Sequence, residues 1–177
     1  MASLAERMVG AARLNAGTYE EVEADTGATG QAALVVVIAS VCMALGAELH
    51  AGLLGVVMVA ILRLVAWWVW ALIAWQVGTR LLPGPATEAD MGQLLRTLGF
   101  ASAPGVAGIF ALVPGIEGVV GIVVFVWMVA AMVVAVRQAL DYETTGRAIA
   151  VVVVGALGYF LIAFLLTSAL IGASTMS

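Results

Sequence analysis

Residues 51–78 read AGLLGVVMVAILRLVAWWVWALIAWQVG. One charge, Arg63, interrupts twenty-eight residues. A helix rises 1.5 Å per residue, so about 20 apolar residues cross the ~30 Å hydrocarbon core of a bilayer. This run exceeds that length. It shows no alternation of polar and apolar positions, so it reads as a helix rather than a barrel strand.

Four more apolar runs flank it: Gln31–Ala47, Thr97–Val113, Gly118–Val136 and Ala148–Ile171. The last is long enough to span with tilt, and the other three sit near the lower limit of about 17 residues. Composition agrees. Of 177 residues, 64% are hydrophobic and 10% charged, against about 45–50% and about 25% in soluble domains. An ordinary soluble enzyme and a disordered chain are excluded. Seven cations, all arginine, face eleven acids for a net charge of −4. No basic surface for nucleic acid can be built from that. The expected fold class is all-α: a polytopic membrane protein with five transmembrane helices and an N-terminal amphipathic helix. Residues 1–30 form a cytoplasmic amphipathic helix and acidic collar, 31–172 the transmembrane domain, and 173–177 a short outer tail.

The arginines set the threading. Arg7 and Arg13 precede the first run, Arg80 and Arg96 lie between the second and third, and Arg137 and Arg147 between the fourth and fifth. The other two connections and the tail hold none. Arginine near helix ends marks the cytoplasmic side. The N-terminus is therefore expected inside and the C-terminus outside, in the inner (cytoplasmic) membrane. The first 30 residues lack a continuous apolar core, so they do not read as a secretory signal. Two full crossings are expected for the third and fourth runs, although Pro114-Gly115 between them also permits a re-entrant hairpin buried in protein.

At 100° per residue, Met1, Leu4, Ala5, Met8, Val9, Ala11 and Ala12 share one side of a helix. Ser3, Glu6, Arg7, Gly10 and Arg13 share the other. Such a helix lies in the headgroup plane or packs on the protein's own loops. The acidic stretch Tyr19–Asp25 is repelled by an anionic leaflet and reads as a solvated collar or a partner-facing segment.

Two approach segments echo each other. Aligned without gaps, Asp25–Val37 and Asp141–Val153 agree at seven of thirteen positions. Both put a threonine where a helix cap is needed and an aspartate near the positive end of the helix dipole. They define a candidate cytoplasmic interaction surface: Tyr19, Glu23, Asp25, Thr29, Arg96, Arg137, Asp141, Tyr142, Glu143, Thr144 and Arg147.

Three of these segments carry a resemblance: Tyr19–Asp25 with Ala28–Ala32, Leu94–Gly105, and Ala135–Ala148. They resemble bacterial Yip-one-domain proteins, of the Yip family of Ypt/Rab-interacting membrane proteins, from about Tyr19 to Leu166. The resemblance implies five membrane helices with a cytoplasmic N-terminus. Eukaryotic members are linked to Rab-type GTPases, vesicle traffic and membrane shape; their Asp-Leu-Tyr-Gly-Pro motif is absent here.

Arg63 is the intramembrane charge, about 20 Å along its helix from His50 and about 25 Å from Arg80. It must face protein or water, with Ser40 and Tyr159 as neighbours at similar depth. It reads as a structural arginine or as part of an anion pathway. Glu48, His50 and Glu117 read as a solvated outer surface rather than a metal site. Gly99, Ala103, Ala107, Ala111 and Gly115, each four apart, form a helix-packing ridge. Trp75 fits the interfacial aromatic belt, while Trp67, Trp68 and Trp70 read as packing residues. Cys42 reads as a buried hydrophobe. No P-loop, metalloprotease or nucleophile-elbow motif occurs, so no catalytic, cofactor-binding or metal residues are assigned. The expected partners are the lipid bilayer, a protein at the cytoplasmic face, and a second copy of the chain. The expected function is a non-catalytic scaffold or adaptor in membrane organisation, with a small channel or transporter lined by Arg63 as the alternative.

Overall fold

A computed structural model describes residues 2–47, 52–85 and 87–175 of the chain, and among these there is no strand. The helices are α1 (Leu4–Ala12), α2 (Ala16–Ala24), α3 (Thr29–Ala47), α4 (Gly52–Gln76), α5 (Met91–Phe100), α6 (Glu117–Ala139) and α7 (Thr145–Thr175). A π turn, Val77–Leu81, extends α4, and a 3₁₀ helix, Ala103–Leu112, follows α5. Four stretches among the described residues are long and apolar enough to cross a membrane: Thr26–Gly46, Leu54–Leu81, Met91–Leu112 and Glu117–Ala139. The apolar part of α7 counted by that measure, Thr145–Leu161, is shorter than a span, although the helix continues to Thr175. The region read as an outer tail is thus helical up to that residue. Glu48 and His50 lie outside the described residues.

The third span departs from its expected form. Its helix starts at Met91, six residues before the apolar run, because Asp90 caps it: Asp90 accepts from the Gln93 amide at 2.9 Å, and Gln93 accepts from the Asp90 amide at 2.6 Å. Beyond Phe100 the coil tightens. Pro104 lacks an amide hydrogen, and ten residues run as 3₁₀ helix. At about 2.0 Å per residue they cover about 20 Å where an α-helix would cover about 15 Å. A run that looked short by α-helical counting thereby gains length.

The same coil re-registers the packing ridge. A 3₁₀ helix has three residues per turn, so small residues align every third position. The row that meets α3 holds Gly99, Gly105, Gly108 and Ala111. A Cβ on Gly99 would sit 2.6 Å from that of Ala32, and one on Gly108 would sit 2.7 Å from Met43 Cγ. A Cβ on Gly46 would strike the Gly108 carbonyl oxygen, with Ala111 Cβ 3.1 Å away. The expected four-residue ridge is therefore corrected. Of its members, Gly99 and Ala111 face α3, Ala103 is buried, Ala107 is half-buried, and Gly115 is exposed. Gly115 serves the turn instead, at φ +88°, where a side chain would be strained.

The N-terminal segment is also reassigned. Helices α1 and α2 form a hairpin packed on α5 and α6. Arg7, read as a polar-face residue, is 2% exposed and points into the hairpin. At the hairpin tip, Trp127 Nε1 donates to the Ala12 carbonyl at 2.6 Å. Trp127 lies about 15 Å along α6 from Glu117 and about 18 Å from Ala139. The tip, with Arg13 beside it, therefore reaches the mid-height of α6 rather than lying across the end of the bundle.

Candidate functional site

Two places gather polar groups. The first is the end of the bundle that carries the α2–α3, α4–α5 and α6–α7 connections. Here Arg7 Nη2 donates to Glu21 Oε1 at 3.0 Å and to Asp25 Oδ2 at 2.8 Å, while its Nη1 donates to Gln31 Oε1 at 3.0 Å. The Arg7 hydrogen bond holds the Asp25 carboxyl below its ordinary range, assisted by the Gly27 amide. One α1 cation thus staples both ends of the α2–α3 corner.

Arg96, 5% exposed on α5, finishes α2. Its Nε donates to the carbonyls of Val22 at 3.1 Å and Glu23 at 3.0 Å. These are among the last carbonyls of α2, which have no partner within the helix. Glu23 accepts from Gln93 Nε2 at 2.9 Å. Burial pushes its carboxyl up to about 7; Asp141, Glu20 and Asp90 add repulsion, and Arg96 opposes it. Tyr19 is buried and donates to the Ala11 carbonyl at 3.1 Å, tying α2 to α1.

The α6–α7 connection is wired in the same way. Tyr142 is buried, and its hydroxyl donates to the carbonyls of Leu82 at 2.7 Å and Gly78 at 3.2 Å. The Leu82 carbonyl lies past the end of the π turn, and the Gly78 carbonyl has no donor five residues on because Pro83 lacks an amide hydrogen. Arg137 donates to the carbonyls of Tyr142 and Glu143, both at 3.2 Å, and Arg147 to that of Pro83 at 2.7 Å. Thr87 Oγ1 donates to the Leu140 carbonyl at 2.9 Å, and Gln138 to Glu20 at 2.7 Å. Thr29 and Thr145 are each the first residue of a helix, but the expected cap is not formed at Thr29, whose backbone is already helical and whose hydroxyl donates to the Thr26 carbonyl at 3.5 Å.

The candidate surface residues therefore divide. Tyr19, Arg96 and Tyr142 are interior fasteners, Arg137 is part-buried and holds the turn, and Asp25 is engaged by Arg7. Thr29 and Glu23 are half-buried. Asp141, Glu143, Thr144 and Arg147 are exposed, alongside Glu20, Glu88 and Asp90. Gln93, Thr87, Gln138 and Trp127 escaped sequence reading. Gln93 alone carried a signal, the spacing Asp-x-x-Gln of a capping box.

The second place is a cavity of about 350 Å³ in the middle of the bundle. Helices α3, α4, α6 and α7 line it with stripes at helical spacing, exemplified by Arg63, Ala66, Trp67 and Trp70 of α4. Ser40 and Tyr159 share this cavity with Arg63. Ser40 is satisfied by its own helix, donating to the Val36 carbonyl at 2.6 Å. Arg63 is exposed and has no hydrogen bond or ion pair among the described residues. Trp67 donates to the Leu95 carbonyl at 3.2 Å and Trp75 to that of Ala89 at 2.9 Å, so Trp75 binds the α4–α5 loop as well. Trp70 Nε1 is buried without a partner among the described residues. The cavity covers two turns of each helix, about 10 Å, and does not run the height of the bundle.

No curated protein and no solved structure matches the chain. The Yip1 domain matches residues 16–165, from the first residue of α2 into α7, which leaves only α1 outside the match among the helices. With apolar helices of membrane-spanning length and a domain match over most of its length, the chain belongs to the Yip1 domain family of membrane proteins.

Proposed function

We propose that the chain is a five-crossing scaffold of the inner membrane, with its N-terminus in the cytoplasm, and that it works on a protein partner through the loop-bearing end. Arg7, Arg96, Arg137 and Arg147 all bond within that end, which is the side that arginine favours. The full length of α7 supplies the fifth crossing. One observation carries the adaptor reading: buried fasteners hold the connections in one fixed arrangement, and the side chains left outside are mainly acidic. Glu20, Glu88, Asp90, Asp141 and Glu143 are exposed there. Such a face recognises a partner bearing basic residues.

The test is a photo-reactive residue at exposed Thr144, with another at lipid-facing Ile122 as control. A discrete protein adduct from position 144 is expected, and Asp141→Lys with Glu143→Lys abolishes it. Lipid adducts alone, or an adduct indifferent to the reversal, refute the adaptor role. Reconstituted vesicles should show no solute flux; flux abolished by Arg63→Ala would make the protein a channel instead.

A further inference from the structure

We propose that the mid-bundle cavity is a lipid site, in which an acyl chain fills the apolar space and an anionic head, phosphate or carboxylate, pairs with Arg63. The site is independent of the adaptor face.

The mouth points to lipid. Arg63, Phe125 and Phe160 line the cavity. Both phenylalanines are 68% exposed, on α6 and α7. The cavity therefore opens sideways, at the level of apolar helix surface. A volume of about 350 Å³ lies in the range of small-ligand pockets. Its walls are aliphatic, aromatic and methionine side chains, Met43, Met128 and Met132 among them. Methionine adapts to variable apolar shapes, and a cavity so lined holds hydrocarbon in preference to water.

Two donors select the head. Arg63 stands 11 residues into α4 and 13 from its end, where an unpaired cation is costly. Trp70, two turns along the same stripe, buries an indole N–H with no acceptor among the described residues. Burying a donor unpaired is also costly. Any anionic lipid removes the first cost, its charged oxygens meeting the guanidinium, and a phospholipid removes both, since an ester oxygen can accept from Trp70. Tyr159 packs edge-on to Trp70, with ring centroids 6.4 Å apart, and holds the indole in place. A zwitterionic head offers the chain but brings a second cation toward Arg63.

Native mass spectrometry of the delipidated full chain tests this, with dioleoyl phosphatidylglycerol, oleate and dioleoyl phosphatidylcholine offered in equal amounts. Phosphatidylglycerol or oleate adducts should dominate, and whichever dominates identifies the head. Arg63→Gln should lower that adduct about tenfold, the loss of one charge-assisted contact. Ala66→Phe should fill the cavity and remove every adduct. Bromine-labelled chains read the site without relying on that variant: they should quench wild-type tryptophan fluorescence, and Arg63→Gln should relieve the quenching. Equal uptake of phosphatidylcholine, or adducts and quenching unchanged in Arg63→Gln, overturns the proposal.

Discussion

Replacing Arg7 by methionine keeps the apolar bulk inside the hairpin and removes the charge. Removing one partner of a fully buried ion pair costs about 3–5 kcal/mol, because the other is stranded. Here the acids are not stranded. Glu21 and Asp25 side chains are 42% and 29% exposed, and both rehydrate once Arg7 is gone. That discount leaves about 2 kcal/mol, roughly thirtyfold in the equilibrium for opening the hairpin. Amide hydrogen exchange in detergent reads this directly. Amides of α1 and α2 should exchange about thirtyfold faster in Arg7→Met, while those of α6 near Ala131 stay protected. Acid adds a second signature. Asp25 sits below its ordinary range in the folded chain, so its contribution is full above the unfolded carboxylate value and fades as pH falls through the folded one. Wild-type protection should decline in acid, and Arg7→Met should lack that decline. Exchange within threefold of wild type would show that the hairpin is held by apolar packing and that the clamp is incidental.

Glu23 gives the opposite slope. Its folded value is raised to about 7, so α2 should lose protection as pH rises from about 4.5 to 7, and Glu23→Gln should flatten the profile. Gly108→Ala should lower the thermal midpoint in detergent by an overpacking cost of about 1–3 kcal/mol, whereas Gly118→Ala, with open space around it, should leave it within error. Tyr142→Phe removes the hydroxyl bonds to the Gly78 and Leu82 carbonyls and should cost about 1–2 kcal/mol, read as faster exchange at Leu82 and in the Asp141–Thr145 turn.

The apolar runs were legible because hydropathy over twenty residues is a one-dimensional signal, and so was the lone Arg63 among them. What escaped depended on coil geometry or on distant partners. Gly99, Ala103 and Ala107 fall on one face only at 3.6 residues per turn, and Pro104 with two glycines shifts the coil to 3.0. Arg7 falls on the polar side of an isolated helix, yet that side faces a second acidic helix whose placement no local pattern encodes. Arg96 and Tyr142 look like surface residues because their partners are backbone carbonyls, which have no letter in the sequence.

The hairpin changes how α6 meets its surroundings. From Glu117 through Trp127, nine of eleven residues are exposed; from Met128 through Leu140, none is. An isolated spanning helix would be bare along one whole face. Here the bare half ends where Trp127 grips the Ala12 carbonyl, and α2 lies along the rest. The hairpin sheathes that remaining half of the helix and presents Val9 and Leu14 outward. α1 itself packs on protein, against α2 and the 3₁₀ helix that follows α5. The Yip1 domain match begins at residue 16, so α1 brings its cation to acids that lie inside the matched domain. Without Arg7, Glu21 and Asp25 would lose their ion pairs beside Glu20 and Glu23, leaving solvent and Arg96 to offset the charge on Asp25. Neutralising that corner from outside the domain is the physical reason for α1 to be where it is.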